Sequence, residues 1–106
     1  MMDAFPIMNA FPIKVLLIED DEDDYILIRE MLASIPGRRY DLEWVSTYGA
    51  ALAAMQENRH DIYLLDYQLD RRTGLELMQE AVKKGFCRSP VIFLTGHYNG
   101  LGFLDQ

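Results

Sequence analysis

Hydrophobic residues along the chain fall into four short apolar runs separated by three stretches with helical spacing. The runs are KVLLI from residue 14, YDLEWVST from residue 40, DIYLLD from residue 61 and SPVIFLTG from residue 89. Short apolar runs without polar interruption are typical of parallel strands that are covered on both faces. The pattern therefore predicts four strands, the second of which alternates more than the others.

The stretches between the runs predict three helices, because apolar residues recur in them at three- and four-residue intervals. Proline and glycine in IPG, from residue 35, end the first helix, and Gly85 ends the third. We expect the inward-facing positions, in chain order, to be Ile28, Met31, Leu32 and Ile35, then Tyr48, Leu52 and Met55, then Leu75, Met78, Ala81 and Val82.

The order β-α-β-α-β-α-β predicts an α/β fold, a doubly wound parallel sheet with helices on both faces. Residues 1–13, which contain AFPI twice, stand apart as a loosely ordered arm because their prolines disfavour a helix or a central strand. We expect the domain to span residues 14–96 and a separate tail to span residues 97–106.

Composition and charge narrow the class of protein. The chain has 106 residues, half of them hydrophobic and a quarter charged, as in a soluble single domain. A net charge of -7 argues against nucleic acid or an anionic membrane as a partner. A lone Cys87 and the lack of a signal peptide or long apolar run predict a cytoplasmic protein. His60 lacks metal-ligand spacing to other histidines or cysteines and is expected on the surface.

Acidic residues follow the predicted strands at the points where the strands end. Six consecutive carboxylates, Glu19 to Asp24, follow strand one, Asp66 closes strand three, and Thr95 closes strand four. Ligands of parallel sheets bind beyond the carboxyl ends of the strands, so Glu19, Asp20, Asp66 and Thr95 are expected on one rim. The other acids of the run suit the first turn of the next helix, where the helix dipole favours negative charge.

Such a rim favours a cation. Three carboxylates about 5 Å apart repel by roughly 3 kcal/mol per pair, unless a cation or a proton relieves them. Oxygen ligands with room for water suit Mg²⁺, and a carboxylate beside it can attack a phosphoryl group. The pattern therefore predicts Mg²⁺-dependent phosphorylation of Asp66, with the Thr95 hydroxyl donating to a phosphoryl oxygen. The alternative makes each acid a helix cap or a loop charge.

The segments VLLIEDDEDD, DIYLLDYQLDRRTGLEL and PVIFLTG resemble the receiver domains of two-component response regulators, over about residues 14–96. The resemblance implies a flavodoxin-like fold with strand order 2-1-3-4 and a histidine kinase or phosphotransfer protein as partner. It also implies a role for each matched residue: Mg²⁺ ligands at Glu19, Asp20, Asp66 and the Gln68 backbone carbonyl, the phosphoacceptor at Asp66, the phosphoryl contact at Thr95, and the helix-opening glycine at Gly74.

Two departures from the family pattern affect these expectations. Asp70 stands where the family usually has proline, which predicts a looser and more negative loop. After Gly96 the chain does not resemble the usual fourth helix, fifth strand and fifth helix, so the lysine of strand five is missing. We therefore expect slow or undetectable labelling of Asp66 by acetyl phosphate with Mg²⁺, and a homodimer formed through the strand-four edge at residues 91–95.

Three functions are compatible with the sequence. The leading one is a receiver module that accepts a phosphoryl group on Asp66 and at most phosphorylates and dephosphorylates itself. The alternative is an interaction or dimerisation fragment that binds Mg²⁺ without productive phosphorylation. A phosphatase with an acidic nucleophile is disfavoured, because such enzymes carry a DxD motif at strand one, whereas the candidate nucleophile here follows strand three.

Overall fold

A computed structural model describes residues 11–94 of the chain. Its elements are, in chain order, β1 (Ile13–Ile18), α1 (Glu22–Ala33), β2 (Tyr40–Val45), α2 (Tyr48–Gln56), β3 (Ile62–Asp66), β4 (Gln68–Leu69), β5 (Arg72–Thr73), α3 (Gly74–Lys83) and β6 (Val91–Leu94). Ile13 already belongs to β1, one residue earlier than the predicted start of the domain. Residues 1–10, Thr95 and the predicted tail at 97–106 lie outside the described residues.

Four strands form one parallel sheet in the order β2-β1-β3-β6. β6 is the fourth strand of the sequence prediction, so the predicted order 2-1-3-4 is confirmed. The antiparallel pair of β4 and β5, two residues each, was not predicted. Since strands this short have no periodicity of their own, the apolar pattern cannot reveal them.

One face of the sheet carries the main core. The register pairs Leu16 with Tyr63 and Ile18 with Leu65, and all four side chains are fully buried. Alternation along the strands places them on the face that α2 and α3 cover. The helical members of this cluster are Ala51, Ala54 and Met55 from α2, and Leu77 and Ala81 from α3.

Helix α1 covers the other face less completely, and its predicted inward face is partly wrong. Met31 is 57% exposed, and Ile35 lies beyond the end of the helix and is 40% exposed. The helix is rotated because Tyr25 stacks on Trp44 of β2, with ring centroids 4.2 Å apart and planes 6° apart. This contact turns the side of the helix that carries Tyr25, Ile28 and Leu32 toward the sheet.

The predicted face of α3 is also shifted by part of a turn. Leu75 and Val82 are exposed, whereas Leu77 and Ala81 are fully buried. Gly74 sets this rotation, because it packs directly against the end of β3 and brings the positions three and seven residues later inward. The longest described helix, α1 with 12 residues, falls short of the ~20 residues that a membrane span requires.

Candidate metal and phosphoacceptor site

Two buried carboxyl groups lie side by side at the carboxyl end of the sheet. Glu19 follows β1 and Asp66 ends β3, and the register that pairs Ile18 with Leu65 places them next to each other. Asp20 completes the group, in which one carboxylate oxygen from each residue lies within 4.8 Å of the others. The predicted convergence of these three acids is therefore present in the structure.

The three acids differ in exposure and in hydrogen bonding. Glu19 and Asp66 are each 2% exposed, whereas Asp20 is exposed. Glu19 accepts a hydrogen bond of 3.3 Å from the backbone N–H of Asp21. Oδ1 of Asp66 is buried and has no hydrogen-bond partner among the described residues. Because buried polar atoms are nearly always satisfied, this oxygen is a candidate ligand atom for a bound ion or water.

Burial and mutual repulsion change the ionisation of the pair. Burial, and then the negative charge of Asp66, raise the pKa of Glu19 to about 8. Burial also raises the pKa of Asp66, although hydrogen bonds from Glu19 and from the Gln68 backbone oppose that rise. In the absence of a cation, the pair therefore retains a proton near neutral pH. A divalent cation would replace that proton, so the residues present fit a metal site.

The remaining acids of the run serve helix α1. Asp21 is the N-cap residue and accepts a hydrogen bond of 2.9 Å from the backbone N–H of Asp23. The next three acids, Glu22, Asp23 and Asp24, occupy the first turn, where the helix dipole favours negative charge. The six carboxylates thus divide between the site and the start of the helix.

The loop after Asp66 is held close to the site. The Gly74 backbone N–H donates to the Tyr67 carbonyl at 2.6 Å, and a Cβ at Gly74 would collide with the Asp66 carbonyl oxygen. The backbone N–H of Asp70 donates to Oδ2 of Asp20 at 3.0 Å. Asp70 adopts a φ of 58°, which proline cannot adopt. The backbone of Asp70 therefore ties the loop to Asp20, and the expectation of a looser loop stays a prediction.

A side-chain network that the sequence did not reveal supports the same loop. The guanidinium of Arg72 lies 3.7 Å from the ring centroid of Tyr48. The Tyr48 hydroxyl donates to Oε1 of Glu80 at 2.6 Å, which links α2 to α3. Burial and this carboxylate raise the pKa of Tyr48 to about 12, so the hydroxyl keeps its proton. The spacing of apolar residues could not predict these contacts, because Arg72 and Glu80 are polar and lie 24 and 32 residues from Tyr48.

A cleft opens next to the exposed side of the acids. Its volume is about 670 Å³, and Asp20, Thr47, Tyr48, Asp70 and Arg71 are among its lining residues. This volume lies within the range of about 300–1,000 Å³ that is usual for small-molecule sites. Of the three acids, Asp20 lines this cleft, so a phosphate-bearing group in the cleft would reach the site on its exposed side.

Three other residues singled out in the sequence are Gln68, Thr95 and His60. Gln68 lies in β4 with an exposed side chain, two residues beyond Asp66, and its carbonyl remains a predicted metal ligand. Thr95 lies outside the described residues, so its phosphoryl contact remains a prediction. His60 is only 5% exposed, so its expected surface position is wrong. Its Nε2 lies 2.8 Å from Oε1 of Glu43, far from the acids at the other end of the sheet.

Comparison with known proteins agrees with this geometry. The model of the response regulator receiver domain matches residues 15–100. The chain belongs to this family. The transcriptional regulatory protein RprY of Bacteroides fragilis is 32% identical over 83 residues, which cover 78% of this chain and 34% of that protein. The aerobic respiration control sensor protein ArcB of Escherichia coli is 36% identical over 72 residues, 68% of this chain and 9% of that protein. The chain thus spans a minor part of either relative.

Solved structures support the same fold. The MaeR response regulator bound to beryllium trifluoride superimposes with a TM-score of 0.69 at 20% identity, covering 88% of this chain and 74% of that chain. The receiver domain of a sensor histidine kinase from Pseudomonas aeruginosa PAO1 has a TM-score of 0.69 at 26% identity, covering 82% and 70%. That domain was solved with a magnesium ion coordinated in its active site cleft. The chain thus has the fold of the receiver-domain family to which it belongs.

Proposed function

We propose that Asp66 accepts a phosphoryl group from a histidine kinase or a phosphotransfer protein, in a reaction that requires Mg²⁺. The observation that best supports this proposal is Oδ1 of Asp66, which is buried beside Glu19 and Asp20 without a hydrogen-bond partner among the described residues. An oxygen in that state keeps its lone pairs available for a ligand or for attack.

Glu19, Asp20 and Asp66 would hold the cation, together with the backbone carbonyl of Gln68. Oxygen donors in this number, with one exposed carboxylate, suit Mg²⁺ because it retains several waters and shares its remaining positions with phosphate. When bound, the ion would neutralise the acids and the negative charge of the incoming phosphoryl oxygens.

The chain itself would supply the nucleophile. A carboxylate oxygen of Asp66 attacks phosphorus, and the bond between phosphorus and the imidazole nitrogen of the donor histidine breaks. The electron pair leaves with the imidazole, and an acyl phosphate forms on Asp66. Thr95 would donate its hydroxyl to one phosphoryl oxygen. The proposal describes one transfer onto the protein's own aspartate, so it does not require turnover of a separate substrate.

Binding of the metal can be tested by thermal unfolding. Millimolar Mg²⁺ should raise the unfolding temperature, because the ion binds the assembled carboxylates and not the unfolded chain. Asp20→Asn should remove most of that gain. Asp23→Asn is the matched control, since Asp23 lies in the same acidic run but in the first turn of α1. Equal gains in both variants would contradict the assigned ligands.

Phosphorylation can be tested by intact mass spectrometry after incubation with acetyl phosphate and Mg²⁺. We expect slow addition of one phosphoryl group to the wild type and none to Asp66→Asn. Asp41→Asn, which lacks an exposed carboxylate on β2, should be labelled at the wild-type rate. If Mg²⁺ binds but no variant or wild-type chain is labelled, the proposal fails. The alternative, an interaction module that binds Mg²⁺ without switching, would then be supported.

A further inference from the structure

A second cavity lies at the opposite end of the sheet from the carboxylate site. It has a volume of about 290 Å³ and lies between the end of α1 and the start of β2. Arg29 contributes from α1, and Arg38 and Arg39 from the loop that leads into β2. Because β2 runs parallel to β1, its first residue, Tyr40, lies at the amino end of the sheet.

The charge in this cavity is unusual for the chain. The protein has 17 acidic and 10 basic residues, yet three of its arginines line this one small cavity. Elsewhere, Arg59 pairs with Glu43 at 2.9 Å, and Arg72 lies near Glu76 and Glu80. Among residues 11–94, no carboxylate forms an ion pair with the three guanidinium groups of the cavity. Within the described part of the chain, the three guanidinium groups therefore have no internal anionic partner.

The remaining walls of the cavity are apolar and aromatic. Leu32 comes from α1, and Tyr40 and Leu42 come from the face of β2 that α1 covers; all three are half-buried. Arg29 is additionally held over the ring of Tyr25, 5.4 Å from its centroid. A ligand that contacts both the apolar walls and the three arginines of this cavity would combine an apolar or aromatic ring with several negative charges.

We propose that this cavity binds a small phosphorylated organic molecule of the nucleotide class. Arginine forks match phosphate oxygens in bidentate geometry, which favours phosphate over a single carboxylate. The volume of about 290 Å³ is just below the range of about 300–1,000 Å³ for small-molecule sites, so a compact ligand fits better than a polymer. The overall charge of -7 repels anions at long range, but physiological salt screens that repulsion beyond about 8 Å.

Calorimetric titration with ATP tests the proposal. The titration uses metal-free buffer, because Mg²⁺ would draw nucleotide phosphates to Asp66. We expect saturable binding that Arg38→Gln with Arg39→Gln weakens about tenfold or more, since the double variant loses charge-assisted hydrogen bonds to the phosphate. Arg88→Gln is the matched control, because Arg88 is an arginine outside the cavity that donates to the Gly85 carbonyl. Asp66→Asn should bind ATP as the wild type does.

The nature of the ligand is tested by three comparisons. Adenosine should not bind, and pyrophosphate should bind more weakly than ATP because it leaves the apolar walls empty. Equal affinity for pyrophosphate and ATP would overturn the assignment of an organic ligand. Binding of a glutamate-rich peptide in place of ATP would assign the surface to a protein partner and overturn the proposal. So would the absence of saturable ATP binding, or equal affinity in the Arg38/Arg39 and Arg88 variants.

Discussion

The backbone N–H of Asp70 donates a 3.0 Å hydrogen bond to Oδ2 of Asp20, the one exposed carboxylate of the candidate metal site. Asp70 makes this contact with a φ of 58°. The residue that departs from the usual proline thus helps to orient a predicted metal ligand. A proline at this position would have neither the N–H nor the required φ.

Two substitutions at Asp70 separate the backbone contribution from that of the side chain. Asp70→Pro should weaken Mg²⁺ binding by about tenfold or more, as the loss of an outer-shell partner usually does. Asp70→Gly removes the same carboxylate but keeps the N–H and allows a positive φ, so its Mg²⁺ affinity should stay near that of the wild type. Mg²⁺ titration by calorimetry measures both. Equal affinities in the two variants would show that the hydrogen bond does not matter.

Gly74 tests how closely α3 must approach the phosphoacceptor. A Cβ at this position would overlap the Asp66 carbonyl oxygen and lie 3.0 Å from Cγ of Leu65, both at the end of β3. Gly74→Ala should therefore destabilise the fold by about 1–3 kcal/mol, the usual range for overpacking. Urea unfolding measures the change.

Gly49→Ala is the control for that substitution. Gly49 lies in α2, and no other element of the described fold comes within 4 Å of the position that an alanine Cβ would take there. Alanine favours helix over glycine by up to about 1 kcal/mol, so this variant should be neutral or more stable. If Gly74→Ala behaved like Gly49→Ala, the close approach of α3 to Asp66 would be wrong.

The sequence predicts the elements of this fold that have a regular spacing of apolar residues. Parallel strands give uninterrupted apolar runs, so the sheet order and the acids at the ends of β1 and β3 follow from the pattern together with the family resemblance. The side of each helix that faces the sheet is harder to predict, because it depends on single contacts between residues far apart in the sequence. The stacking of Tyr25 on Trp44 exposes Met31, and the packing of Gly74 on Asp66 exposes Leu75.

The spacing of apolar residues also could not predict polar contacts between distant parts of the fold. His60, just before β3, is buried beside Glu43 of β2, although the two residues are 17 positions apart and β1 lies between the two strands. The Tyr48 contacts with Arg72 and Glu80 likewise join three elements. The two side chains of each contact are not related by helix or strand periodicity. The position of one partner in the sequence therefore does not indicate the other.

The ionisation of Glu19 predicts how stability depends on pH when no metal is present. Its pKa is raised from 4.5 to about 8 in the folded protein, so the folded state binds protons more tightly than the unfolded state. The resulting stabilisation is fully present below pH 4.5 and is lost as pH rises toward about 8. The free energy of unfolding should therefore fall over this window, as measured by urea unfolding at several pH values.

Two variants and the addition of Mg²⁺ test whether Glu19 causes this dependence of stability on pH. Glu19→Gln should flatten the dependence and should be more stable than the wild type near pH 8, because no negative charge forms at position 19 beside Asp66. Glu22→Gln, in the first turn of α1, should keep the wild-type slope. Mg²⁺ should stabilise the wild type more near pH 8 than near pH 5, since protons compete with the cation. A wild-type slope in Glu19→Gln would contradict the prediction.

The outer edge of β6 predicts self-association of the 106-residue chain. Within the described residues no strand pairs with this edge, and Ile92 and Phe93 are 47% and 39% exposed. Neither lysine nor proline lies within Val91–Leu94, so the strand lacks the residues that usually prevent edge pairing. Tyr67, which is 48% exposed, extends the apolar surface through an edge contact with Phe93 at 6.5 Å. A two-fold pair of chains would cover this surface on both subunits.

Light scattering after size exclusion should give twice the 12.3 kDa mass of the chain at micromolar concentration. Ile92→Lys and Phe93→Lys should each shift the mass toward the monomer, because a charge on the edge opposes pairing. Leu27→Lys is the matched control: Leu27 is 58% exposed but lies on α1, so its variant should still dimerise. If all three variants lost association equally, general surface hydrophobicity rather than the edge of β6 would drive it. A wild-type monomer with a cooperative melt would contradict the dimer itself, because the exposed edge would then be tolerated in solution.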